Sequence, residues 1–299
     1  MILKKPVLVF VLLFSIALCS NSFGLPNVAL QNEASGKTIA LGIVSYADPS
    51  EQYAAMTPLI NFLNQRTNLQ ISLKLYPDYY SILSDIDHEN LDLAILSPVV
   101  YTLCLDDPSL QFLGTALVNN KKFYHSLLLT RKDSNIRSVS DLAGKTIGFV
   151  SRYSASGYVY PAVFLKSAGL VKEGKPLYKS VFLASHHRNL RALEEKKVDA
   201  IAAYDAYFPY TGGSVDANGV PKLDKFRVLK LIENQIPESA IVCRSDMDKD
   251  SINKLREALK AIGQKGVPKN LFYSSIASDN KAAYQAVKAF ISLEEGLTK

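Results

Sequence analysis

A chain of 299 residues with 48% hydrophobic and 21% charged content is built for one or two ordinary globular units, which excludes disordered, collagen-like and coiled-coil architectures. The net charge of +6 is spread along the chain without a concentrated basic run, so nucleic acid is not an expected partner and an anionic small molecule is. Three cysteines and four histidines show no metal-ligand spacing, so no metal, cofactor or cysteine nucleophile is expected.

The N-terminus departs from that average. Lys4 and Lys5 precede the apolar run Val7 to Leu18, and Ser22 and Gly24 supply small residues two apart. This reads as a secretory leader over 1–24, cut after Gly24, because the run is too short to span a bilayer comfortably. Cys19 offers a second reading as a lipid-modified cysteine, against which stands the bulky Leu18 before it. Residues 25–36 read as a polar tether. The mature protein is expected to be exported, and either soluble or tethered through Cys19.

From Thr38 to Val44 an apolar strand runs into Ser45-Tyr46-Ala47-Asp48-Pro49, a turn that opens a helix at Ser50 or Glu51. Strand Leu69 to Leu75, helix Asp78 to Ile86, strand Leu91 to Leu96 and helix Val99 to Leu103 follow. Alternation of this kind predicts a parallel sheet with right-handed crossovers, whose ligands sit beyond the carboxyl ends of the strands. Tyr46, Ser97 and Tyr101 fall at those ends. Strands Phe112 to Val118 and Phe123 to Thr130 come next, separated by Asn119-Asn120-Lys121-Lys122.

Strand–helix alternation restarts at Lys145. Strand Thr146 to Val150 feeds Ser151-Arg152-Tyr153-Ser154-Ala155-Ser156-Gly157, and Pro161 limits the following helix to a start near Gly157, with Ser156 at or just before its cap. Small residues at a helix start leave N–H groups and the positive dipole end facing one spot, a seat for an anion. Ser156 as a mere cap is the competing reading. Strand Lys179 to Leu183 leads to Ser185-His186-His187 and helix Arg188 to Lys196; strand Asp199 to Tyr204 leads to Asp205. In a parallel sheet these three turns share one edge. A Gly-rich loop, Thr211 to Gly219, precedes strand Phe226 to Ile232, a turn over Gln235 to Glu238, strand Ala240 to Cys243, and helices near Ser251 to Ile262 and Asn280 to Leu293. Cys104 and Cys243 sit in apolar contexts, open to either buried thiols or a disulfide.

Ser156, His186 and Asp205 are the residue types of a hydrolytic triad, yet Ala155-Ser156-Gly157 lacks the Gly-x-Ser-x-Gly elbow. No enzyme is expected. The strings Gly42 to Tyr46, Asp92 to Pro98 with Tyr101, Ser140 to Thr146, Ser154 to Tyr158, Ser185-His186 and Val198 to Ala200 with Tyr204-Asp205 resemble the phosphonate/phosphite/phosphate-binding proteins of ABC importers, over nearly the whole chain after the leader. The resemblance implies an α/β, two-lobed type II periplasmic binding fold with the ligand cleft between lobes, lobe A from 37–121 and 237–299, lobe B from 122–236. It also implies that Ser154, Ala155 through its backbone, Ser156 and His186 grip the anion, that Tyr46 and Tyr101 close from lobe A, and that Asp205 holds an amino group. Ala155 departs from the threonine many members carry, which removes one hydroxyl donor. The implied partners are a small phosphorus oxyanion and an inner-membrane ABC permease, with the protein acting as a monomer; presentation of the ligand to a sensor protein is the alternative role.

Overall fold

The computed structural model describes residues 38–45, 48–205, 214–215, 221–269 and 271–295. The leader over 1–24, the tether over 25–36, Cys19, Tyr46 and most of the Gly-rich loop lie outside the described residues. Residues 36–299 form one compact unit. In chain order its elements are β1 (Ile39–Val44), α1 (Pro49–Thr67), β2 (Ile71–Tyr76), α2 (Tyr79–Asp87), β3 (Leu93–Leu96), α3 (Pro98–Leu103), β4 (Leu110–Leu117), β5 (Phe123–Arg131) and β6 (Thr146–Phe149). They continue with α4 (Tyr160–Ser167), the hairpin β7 (Val171–Lys172) and β8 (Lys175–Pro176), β9 (Lys179–Phe182), α5 (His186–Glu194), β10 (Ala200–Tyr204), and the short pair β11 (Ser214–Val215) and β12 (Pro221–Lys222). The last are β13 (Phe226–Pro237), β14 (Ala240–Arg244), α6 (Lys249–Ala261), β15 (Ser275–Ala277) and α7 (Ala283–Glu295).

The strands build two mixed sheets. A six-stranded sheet has the order β15-β4-β14-β3-β1-β2, and a five-stranded sheet has the order β13-β5-β10-β6-β9. In the first, β1 runs parallel to both β2 and β3, as the alternating sequence predicts. In the second, β6 runs parallel to both β9 and β10. The carboxyl ends of β6, β9 and β10 therefore lie on one edge, and so do those of β1, β2 and β3.

Helices cover both faces of each sheet, because the central strands β1, β3, β14, β5, β6 and β10 are buried on both sides. Met56, Leu59 and Leu63 of α1 join Leu255 and Leu259 of α6 against Leu41, Leu93 and Ile241. On the opposite face, Ile82 of α2, Val100 of α3 and Tyr284 of α7 meet Leu96 and Val242. In β5 the alternation is explicit: Leu128 faces the cluster of α4, whereas Leu127 and Leu129 face that of α5. The C-terminal helix α7 serves both halves, since its Val287, Phe290 and Ile291 enter the core of the five-stranded half.

The chain passes between the sheets at Asn119–Lys122 and again near Glu238. These passages lie side by side, the N–H of Glu238 donating to the carbonyl of Lys122 at 3.1 Å. Asn119 and Asn120 take positive φ of 51° and 58°, which asparagine tolerates better than most residues.

Several boundaries differ from expectation for local reasons. Helix α1 begins at Pro49, one turn-residue early, because Asp48 caps it by accepting from the Ser50 N–H. Strand β13 runs on through Gln235 to Pro237 where a turn was expected; a register irregularity between Ile232 and Ile236 absorbs the polar stretch Glu233 to Gln235, and Pro237 falls at the strand's last position. Strand β15 is too short to show a periodicity. Cys104 and Cys243 are free, buried thiols, not a disulfide, and burial pushes both up to about 11, which keeps them protonated and inert.

Candidate ligand-binding site

The strand ends of the two sheets face one cleft of about 280 Å³. From the five-stranded half, the turn after β6 supplies its wall. Ser154, not Ser156, is the cap there: its hydroxyl accepts from the Gly157 N–H at 3.1 Å. A π-helical turn over Ala155–Val159 then runs directly into α4, so the helix starts two residues earlier than Pro161 suggested. The N–H groups of Ala155 and Ser156 stand in its first turn, where a helix offers no internal acceptor. Ser126 fixes the turn by donating to the Ser156 carbonyl at 2.6 Å. Gly157 is required by close approach: a Cβ there would lie 2.5 Å from a Val150 methyl and 2.6 Å from the Ser154 hydroxyl oxygen.

The competing reading of Ser156 as a helix cap is thereby removed. It is 2% exposed and lines the cleft together with Tyr124. Tyr79, at the start of α2, lines the cleft beside Ser154 and Ala155 in the same way. Burial raises both tyrosines above the ordinary phenol range, so both are O–H donors at any physiological pH.

Two further turns complete the wall. Ser185 caps α5 by accepting from the Arg188 N–H at 3.2 Å, which sets His186 at the first helical position. Burial pushes His186 down to about 4, so the imidazole is neutral at pH 7. At the end of β10, Tyr204 turns into the cleft and donates to Glu238 Oε1 at 3.1 Å. Glu238 is 4% exposed and burial pushes it up to about 8. Its backbone carbonyl accepts from the hydroxyl of Tyr284 at 2.6 Å, which pins the second passage between the sheets.

From the six-stranded half come Ser97 at the end of β3, Gln52 on α1, and the apolar side chains of Ile43, Ile95 and Val118. Ser97 caps α3 and also donates to the Tyr153 carbonyl at 3.4 Å, joining the halves across the cleft.

Of the residues singled out from sequence, Ser97, Ser154, Ala155, Ser156 and His186 all line this cleft. Tyr46 lies outside the described residues. Tyr101 does not face the cleft: it is 2% exposed, with its ring against Phe112 at 5.5 Å and edge-on to Tyr284 at 4.7 Å. One helical turn beyond Ser97, it falls on the side of α3 that meets α7. Asp205 is likewise turned away. One carboxylate oxygen accepts from the His125 N–H at 3.0 Å and the other pairs with His125 Nδ1 at 3.2 Å. Neighbouring side chains on an extended chain point to opposite sides, so with Tyr204 facing in, Asp205 faces out. Its engagement with His125 also removes the acid from any Ser156–His186 series.

Among the lining residues that the sequence does not single out, four bear on the chemistry. Tyr79 sits at a βα turn and was findable by the same strand-end rule that flagged Ser97. Tyr124, Gln52 and Glu238 lie on a strand, a helix and an inter-strand turn with no local signal. Among the described residues lining the cleft there is neither lysine nor arginine, and the carboxyls are Glu51 and Glu238. Among the described residues no group of three histidine, cysteine or acidic side chains could hold a metal ion. What converges is a set of neutral donors: hydroxyls, helix N–H groups and an uncharged imidazole. Such a set suits the oxygens of an anion, as charge-bearing acceptors strengthen each hydrogen bond they receive.

Two parallel sheet edges facing across a donor-lined cleft define a solute-binding protein of the periplasmic type. Residues 41–289 match the profile of the family described as ABC transporter, phosphonate, periplasmic substrate-binding protein, and the chain belongs to that family. It is similar to the phosphate-import protein PhnD of Mycolicibacterium smegmatis, with 29% identity over 178 residues, 56% of each chain; it thus spans little more than half the length of that relative. It is also similar to the phosphonates-binding periplasmic protein of Escherichia coli, with 23% identity over 247 residues, 78% of this chain and 68% of that one. In structure it resembles a binding protein component of an ABC phosphonate transporter from Pseudomonas aeruginosa, with a TM-score of 0.74 at 20% identity over 87% of both chains. Among the described residues no helix is long and apolar enough to cross a membrane.

Proposed function

We propose that this protein is an exported carrier that captures a phosphonate-, phosphite- or phosphate-like oxyanion in the periplasm and hands it to the permease of an ABC importer, without catalysing a reaction. The observation that carries this reading is the convergence of Ser154, Ser156, Tyr79, Tyr124 and His186 on one cleft whose described lining has no fixed cation. Glu238, pushed up to about 8, holds its proton through most of the neutral range and adds an O–H donor where an ionised carboxylate would repel the ligand. Family membership supports the transport role and the periplasmic location. The sheet memberships support a division into lobe A, 37–121 with 237–299, and lobe B, 122–236, that close on the ligand, contacts to it favouring the closed state. The carrier is proposed to act as a monomer. Cys19 is the residue that would carry a lipid anchor, if the leader ends there.

Calorimetric titration with phosphate, phosphite, methylphosphonate and 2-aminoethylphosphonate tests this. A true ligand at a hundred times its Kd stabilises the fold by about 2.7 kcal/mol, which a thermal-shift measurement also reads. Silence from all four overturns the oxyanion reading.

A further inference from the structure

Gln52 is 2% exposed, lines the cleft, and both its amide oxygen and amide nitrogen are buried without a hydrogen-bond partner among the described residues. Burying an amide with neither end satisfied is costly, and native cores avoid it. It persists where a ligand supplies the partners. Gln52 belongs to α1, in the six-stranded half, opposite the turn that carries Ser154 and Ser156. The same cleft is lined by Ile43, Ile95, Val118 and Phe272, which pack in one cluster with Met56, one turn along α1 from Gln52. At about 280 Å³, the cleft is also far roomier than the roughly five heavy atoms of phosphate or methylphosphonate require, and comes close to the lower range of sites for organic molecules, about 300 Å³.

We propose that Gln52 and this apolar wall form a second compartment that takes the organic substituent of the ligand, and that this substituent is uncharged and both donates and accepts a hydrogen bond. A primary carboxamide or a hydroxyl satisfies both ends of the Gln52 amide; a methyl group satisfies neither, and an ammonium only donates. The inference rests on the oxyanion reading above and narrows it from any small phosphorus anion to a phosphonate with a polar, neutral substituent.

The test is calorimetric titration of the full chain and of Gln52→Leu and Gln52→Met with methylphosphonate, 2-hydroxyethylphosphonate and phosphonoacetamide. The parent is expected to prefer the last two over methylphosphonate by about fivefold to thirtyfold, the worth of one or two neutral hydrogen bonds. In both variants that preference should vanish while methylphosphonate stays within about twofold, since an apolar side chain of similar volume leaves the wall intact. The melting temperature of the ligand-free variants should equal or exceed the parent's, because an unsatisfied amide is gone. Equal affinity of the parent for all three ligands, or an equal loss for all three in the variants, overturns the inference and leaves the oxyanion reading standing. Failure of all three to bind the parent overturns both.

Discussion

Replacing Glu238 by glutamine should make the protein more stable as the pH rises, and the size of the gain follows from where the carboxyl sits. Burial lifts Glu238 from 4.5 to about 8, so the folded protein keeps a proton that the unfolded chain has released. Folding therefore takes up a proton throughout that window. Stability present below pH 4.5 is lost as the pH climbs towards 8. At about 1.4 kcal/mol for each pH unit, the loss is on the order of 3 kcal/mol at pH 7. A glutamine keeps the acceptor for Tyr204 and the shape of the side chain but has no proton to bind. Urea unfolding of parent and Glu238→Gln at pH 5, 6, 7, 8 and 9 reads this directly, and subtracting the two curves cancels every other titrating group. The difference should move in favour of the variant by about 1.4 kcal/mol per pH unit between roughly 5 and 8 and then level off. A difference that is flat across that range would refute the assignment of the buried proton to Glu238.

Ser156→Ala should weaken the best oxyanion ligand by about tenfold to a hundredfold, the worth of a hydrogen bond to a charged acceptor, with affinity within about twofold of the parent's ruling out the donor role. Ser154→Ala should in addition lower the stability of the free protein by about 1 kcal/mol, because Ser154 is the residue that caps the turn; equal stability of the two serine variants in urea would contradict that. Gly157→Ala should destabilise by about 1–3 kcal/mol through overpacking against Val150 and abolish ligand-induced thermal stabilisation. His186, pushed down to about 4 from 6.5, stays neutral where the unfolded chain is charged, so stability should rise with pH between those values, and His186→Gln should flatten that limb of the urea series.

The strand-end rule carried the sequence reading far because parallel βα units put chemistry where the strands stop. That is why Ser154, Ser156 and His186 are legible as one sheet edge, and Ser97 as a strand end of the other half. The rule names the turn but not which of its residues points inward. Tyr204 and Asp205 are adjacent, and a one-residue difference in facing moves the carboxylate from the cleft to His125. Tyr101 fails for a related reason: a helix start is at the strand end, but one turn later the chain has reached the core. Glu238 was illegible because its meaning comes from partners distant in sequence, Tyr204 and Lys122, and from burial that no local pattern encodes. Gln52 looks like any polar residue on an amphipathic helix until the wall around it is seen.

A cleft whose described lining has no lysine or arginine has a consequence for capture at a distance. A fixed cation reaches outward over roughly a Debye length, about 8 Å at physiological ionic strength, and draws anions of every kind towards it. Dipoles of hydroxyls and N–H groups fade much faster, so this seat acts on a ligand only once the ligand is inside. The lining itself therefore adds little long-range pull on chloride or sulfate, and little of its own attraction is there for added salt to screen. A seat built this way selects by the fit of its donors around the bound oxygens and not by charge alone.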